Sequence, residues 1–146
     1  MRDYTKIEAW KFADNLTVAV YLTTRSFPRH EAFGLTSQLR RAAFSVRANI
    51  AEGSARNSLR DYLHFLYIAR GSLTETQYFL HLAFRLGYQD EANHEQLAGQ
   101  VKATFARLHG LIGAVEKEAG VIRRATAAVT SSMALILAHC AMRLAP

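Results

Sequence analysis

The sequence predicts an all-α protein folded as an up-and-down antiparallel four-helix bundle. Three observations predict it. Only two prolines occur in 146 residues, Pro28 and Pro146, which leaves long stretches free of the residue that breaks helices. Strict apolar–polar alternation, the mark of a half-buried strand, never runs far. Apolar residues instead recur at helical spacing in four segments joined by short links.

The first helix is expected over about 6–24, with Ile7, Trp10, Ala13, Leu16, Val20 and Tyr21 on its apolar side. Pro28 and Gly34 interrupt the pattern, because proline restricts the residue before it and glycine admits unusual backbone angles. The second helix is expected over about 35–52, on a stripe of Leu35, Leu39, Ala42, Ala43, Val46 and Ile50, with Gly53 as its stop. A link of four residues, 54–57, then forces an antiparallel return.

The third helix is expected over about 59–86. Ser58 and Asp61 form a capping pair, and Gly87 closes the segment. Leu59, Leu63, Leu66, Leu73 and Leu80 form its seam. Tyr62, Phe65, Tyr67, Ile68, Tyr78, Phe79 and Phe84 make it apolar off the seam as well. A helix apolar most of the way round is buried on more than one side, so the chain is expected to form a homo-oligomer. Gly71, inside this pattern, is read as a site of close helix packing.

The fourth helix is expected over about 91–118, capped by Asp90 and ended by Gly120, with Leu97, Val101, Phe105, Leu108, Ile112 and Val115 on its stripe. Residues 1–119 then form the bundle domain. Residues 120–146 form an alanine-rich C-terminal extension that sequence leaves open between a fifth helix, an oligomer contact and an unordered tail. The stretch 125–142 carries no Asp, Glu, Lys or Arg, but its threonines, serines and His139 argue against a membrane span. The N-terminus lacks a signal-peptide pattern and the chain has one cysteine, Cys140. Together these predict a cytoplasmic protein without an intrachain disulfide.

The search for chemistry predicts no enzyme and no cofactor. Glu91 and His94, and more loosely Asp61 and His64, have the spacing of bundle metal ligands. Both pairs fall in first helical turns, where acidic residues are expected as caps. The glutamates that would complete a di-iron set are missing from the first helix. His139 precedes Cys140, but neighbours in sequence on a helix do not face each other. Asn49, Glu52, Ser72 and Glu75 sit beside core positions and are expected to form a hydrogen-bond network fixing the register of the second and third helices.

Charge is the remaining signal. The net charge is +6. Residues 25–60 hold seven arginines against Glu31 and Glu52, so most of the excess lies in the second quarter of the chain. Arg40 and Arg47 are seven apart, on one helix face, with Arg41 beside them; Arg56 and Arg60 follow on the next turn and helix start. Guanidinium groups bind phosphates bidentately, so these five are the candidate nucleic-acid-binding residues. The plain alternative is a solvated face with local salt bridges. No recognition helix and no aromatic stacking platform is visible in the sequence, so binding to RNA or DNA is expected to follow the backbone and weaken with salt.

Three blocks carry a family resemblance: Phe33-Gly-Leu-Thr-Ser-Gln-Leu-Arg-Arg-Ala-Ala, then Asn49-Ile-Ala-Glu-Gly-Ser, then Phe65-Leu-Tyr-Ile-Ala-Arg-Gly-Ser-Leu-Thr-Glu. From about Asp3 to Glu118 the chain resembles the bacterial four helix bundle protein family. That family is also called S23, after proteins encoded in intervening sequences of large-subunit ribosomal RNA. The resemblance implies a homopentameric bundle. The family is similar in turn to the accessory protein of diversity-generating retroelements, a basic pentamer that binds nucleic acid and a reverse transcriptase. Arg40, Arg41, Arg56 and Arg70 are family-like positions; Phe44 and Arg47 depart from the pattern. The leading expectation is a non-enzymatic homo-oligomeric module binding RNA or DNA through a basic surface. The second is a scaffold that docks a protein or nucleoprotein partner without touching nucleic acid itself. Neither involves a membrane.

Overall fold

The structure, a computed structural model, describes the backbone of residues 2–143 and the side chains of residues 2–120. Four helices follow one another: α1 (Glu8–Thr23), α2 (Leu35–Ser54), α3 (Leu59–Arg85) and α4 (Glu91–Arg143). Short 3₁₀ turns at Tyr4–Lys6 and Arg29–Glu31 precede α1 and α2. Each helix packs on its neighbours in sequence, and α1 also packs on α4. The four therefore stand as the sides of a square, alternating up and down, as expected.

The core is built from the helical stripes. Leu16 and Val20 of α1, Leu39, Val46 and Ile50 of α2, Leu66 and Leu73 of α3, and Leu97 and Leu108 of α4 are all buried. On α3 the buried seam is Tyr62, Leu66, Ala69, Leu73, Thr76, Leu80 and Ala83, while Leu59 and Leu63 fall to its edge. Spacings of four and three alternate along this seam, which keeps it on one face. Thr76 belongs there because its hydroxyl donates back to Ser72 O at 2.9 Å. Tyr21, expected on the apolar side of α1, is exposed.

The helix ends follow local chemistry. The Ser58 hydroxyl accepts from Asp61 N at 3.0 Å, and the Asp90 carboxylate accepts from Asn93 N at 2.8 Å. Gly87 takes φ +72°, with Tyr88 N donating to Ala83 O and Gly87 N to Phe84 O, both at 2.9 Å. This is the left-handed glycine closure that a helix C-terminus favours. Tyr88 then packs its ring on Phe27, centroids 5.7 Å apart.

Two expected stops are different. Gly53 does not end α2; it lies inside the last turn, buried against α3. Gly120 does not end α4, which continues without a break to Arg143. A glycine stops a helix when the chain turns left-handed there, and among the described residues only Gly87 has positive φ. Otherwise glycine costs roughly 1 kcal/mol in a helix interior and the helix carries on. The side chains beyond Gly120, Cys140 included, lie outside the described residues. Among the described residues no helix is long and apolar enough to cross a membrane.

The polar contacts between α2 and α3 are narrower than expected. Ser45 and Ser72 share a hydrogen bond of 2.9 Å across the helices, and the Asn49 amide donates to Ser45 O and Oγ at 2.8 and 3.0 Å. Glu52 turns instead to Arg56, and Glu75 is exposed. Gly71 is also exposed, with open space where a Cβ would stand, so it is not a close-packing site within this chain.

Candidate nucleic-acid interface

The five candidate arginines do not form one cluster. Arg40 and Arg56 are sixteen residues apart, which is about 24 Å of helix rise. Three places along the bundle hold them.

Arg40 and Arg41 sit at the corner where α1 ends and α2 begins. The Arg40 Nε donates to Thr24 Oγ1 at 2.7 Å, and its guanidinium lies over the Tyr21 ring, 5.0 Å from the centroid. Thr24 is itself buried, its hydroxyl donating to Val20 O at 2.8 Å, so Arg40 is anchored to the last turn of α1. Arg41 is one residue on and points outward; its Nε and Nη2 donate to Gln38 Oε1 at 3.2 and 3.0 Å. Arg25 and Arg29, on the connection between the helices, are exposed as well. None of these four makes an ion pair among the described residues. The carboxylate of Glu31 is the local counter-charge. It caps α2, accepting from Leu35 N at 2.8 Å, and it accepts from the Tyr88 hydroxyl at 3.3 Å.

Arg47 lies halfway along α2. It is half-buried, pairs with Asp14 of α1 and lies over the Phe44 ring at 4.8 Å. Its charge is thus spent inside the molecule. Arg56 and Arg60 lie at the opposite end of the bundle. Arg56 pairs with Glu52 and lies over Phe65 at 4.5 Å; Arg60 is exposed. Arg70, on α3, is exposed over Tyr67 at 5.0 Å.

The corner holds something the sequence reading missed. Phe33 is 96% exposed, and Tyr21 and Phe44 are also exposed on the same face. With Arg40, Arg41 and Thr36 they line a shallow depression of about 600 Å³. Phe33 comes from the connection, Tyr21 from α1 and Phe44 from α2, so no single periodic pattern could join them.

The candidate metal pairs have other surroundings. Glu91 is exposed in the first turn of α4. The His94 ring stacks on Phe84, centroids 4.4 Å apart, with Nδ1 3.3 Å from the Gln89 amide nitrogen. That amide nitrogen also donates to Leu80 O at 2.7 Å. It is a donor, so it needs His94 Nδ1 as acceptor, which places the ring proton of the neutral imidazole on Nε2. Asp61 is exposed in the first turn of α3, and His64 meets Phe65 edge-on at 5.8 Å.

Comparison with known proteins places the fold in a family. A search of curated proteins finds no match. A crystal structure of a protein with unknown function from the S23 ribosomal protein family of Bacteroides thetaiotaomicron is similar, at 25% identity and a TM-score of 0.65. The likeness covers 71% of this chain and 97% of that one. The family model described as 23S rRNA-intervening sequence protein matches residues 5–110, which takes in α1, α2, α3 and much of α4. The chain therefore belongs to the 23S rRNA-intervening sequence protein family.

Proposed function

We propose that this chain is a non-enzymatic module that assembles with copies of itself and binds nucleic-acid backbone through the corner between α1 and α2. One observation carries the reading: Arg40 and Arg41 line one depression at this corner, Arg25 and Arg29 are exposed on the connection that leads to it, and none of the four makes an ion pair among the described residues. Guanidinium groups in that state release counterions when they meet phosphates, which is the main source of affinity for a polyanion. Arg60 adds a separate exposed cation at the far end. Arg47 and Arg56 contribute little, because each already faces a carboxylate. Self-assembly is supported by Ile68, Gly71 and Tyr78, which leave an exposed, partly apolar strip along α3. Repeating the corner around an oligomer multiplies its avidity.

The test is binding to generic single- and double-stranded RNA and DNA across a salt series, with subunit number from light scattering. An oligomer that binds at low salt, releases as salt rises and fails after joint R25A, R29A and R41A substitution supports the reading. An oligomer that binds nothing at low salt overturns it and leaves the scaffold reading, in which a protein or nucleoprotein partner docks on the same surface.

A further inference from the structure

We infer that the α1–α2 corner is a single-strand site, in which an unpaired base stacks on Phe33 while Arg40 and Arg41 hold the adjoining phosphates. The inference rests on the backbone-binding reading above and narrows it to one form of nucleic acid. Phe33 is the most exposed large apolar residue among those described, and none of those residues covers its ring. Exposed Tyr21 and Phe44 line the depression beside it, and a contiguous uncovered apolar patch marks the place of a partner where a single side chain would not. Its surroundings define that partner. The depression beside it, at about 600 Å³, has the size of a small-molecule site. Its walls combine aromatic rings with guanidinium planes, the two surfaces on which nucleobases stack.

Charge and hydrogen bonding agree with that occupant. Arg40 uses Nε on Thr24, which leaves its terminal nitrogens for a ligand; Arg41 keeps donors beyond those given to Gln38. Thr36 lies against the depression, 7% exposed, with its hydroxyl oxygen buried out of a ligand's reach. A purely apolar partner would leave the arginines unpaired. A duplex would offer phosphates but no open base face, since its bases are stacked on one another. A single strand offers both.

The test uses the full chain and short labelled oligonucleotides of mixed sequence, single-stranded and as matched duplex, at low salt. Fluorescence anisotropy gives affinity and light scattering gives subunit number. The single strand is expected to bind more tightly than the duplex. Phe33→Ala is expected to weaken single-strand binding by about tenfold, leave duplex binding and the salt slope unchanged, and leave subunit number unchanged. Phe33→Trp is expected to keep or improve single-strand affinity. Phe33 is exposed, so neither variant threatens folding. Equal loss of single-strand and duplex binding, or no loss, overturns the inference while leaving backbone binding intact. A change of subunit number in Phe33→Ala overturns it in favour of a second copy of the chain as the partner. No binding by the unaltered chain overturns both readings.

Discussion

Gly53→Ala is expected to destabilise the bundle, although alanine is the better helix former. Gly53 sits inside the last turn of α2, close against Tyr62 and Phe65 of α3. A Cβ there would stand 2.8 Å from the Phe65 Cβ and 3.0 Å from the Tyr62 Cδ2. Favourable carbon contacts lie at about 3.5–4.0 Å, so both are too short by roughly half an ångström or more. The Phe65 Cβ is fixed to the α3 backbone and cannot swing aside, and Tyr62 is buried. The helices must separate. Overpacking of this kind costs about 1–3 kcal/mol. The propensity gain opposing it is below about 1 kcal/mol, because the position is close to the helix end. A net loss of about 1–2 kcal/mol follows, which for a domain of this size lowers Tm by several degrees. Gly110→Ala is the control. Gly110 is exposed within α4 and has open space at the Cβ position, so the same substitution is expected to stabilise by about 0.5–1 kcal/mol. Thermal melts followed by circular dichroism, at one fixed protein concentration, compare the two. A Gly53→Ala variant that melts at or above the unaltered chain refutes the close-approach reasoning.

Two further outcomes follow from pairing and burial. Asp14→Asn is expected to strengthen nucleic-acid binding and steepen its salt dependence, by up to about 0.7 in the log–log slope per strand contact, because it frees the Arg47 guanidinium; unchanged affinity and slope in a salt titration would show that Arg47 stays out of reach of a ligand. Tyr62→Phe is expected to leave Tm at neutral pH unchanged or slightly higher, since the Tyr62 hydroxyl is buried without a partner among the described residues and its removal ends a desolvation cost. Burial pushes the Tyr62 phenol above its usual value, so the folded chain holds that proton more tightly than the unfolded chain. Stability should then fall as pH rises above about 10, and Tyr62→Phe should lessen that fall in alkaline melts; a variant that loses more than about 1 kcal/mol at neutral pH would mean that the hydroxyl has a partner after all.

The fold was legible because its determinants are local. Helical stripes, the Ser58 and Asp90 caps and the Gly87 closure are each written within a few neighbouring residues. The glycines show the limit of that logic. Gly53 and Gly87 look alike in sequence, and both were read as stops. One instead serves a contact with Phe65, twelve residues away on another helix. Gly71, read as a packing glycine, meets nothing among the described residues. Local pattern reports where a helix can end; it does not report which neighbour will arrive.

Charge was less legible for the same reason. Seven arginines between 25 and 60 announce a basic segment, but the carboxylate that neutralises Arg47 comes from position 14 on α1. Pairing is a tertiary fact, and it sorts residues of equal formal charge into different kinds. Arg47 and Arg56 face carboxylates, Arg40 is anchored to a threonine over a tyrosine ring, and Arg25, Arg29 and Arg41 project into solvent. The bundle thus turns an evenly spread run of arginines into one corner with unspent charge. That corner also gathers Tyr21, Phe33 and Phe44 from three separate segments. On the proposed reading, unpaired cations beside uncovered rings suit a ligand with both phosphate and aromatic groups. A solvated face would need only the charge, and a self-association patch would need only the rings.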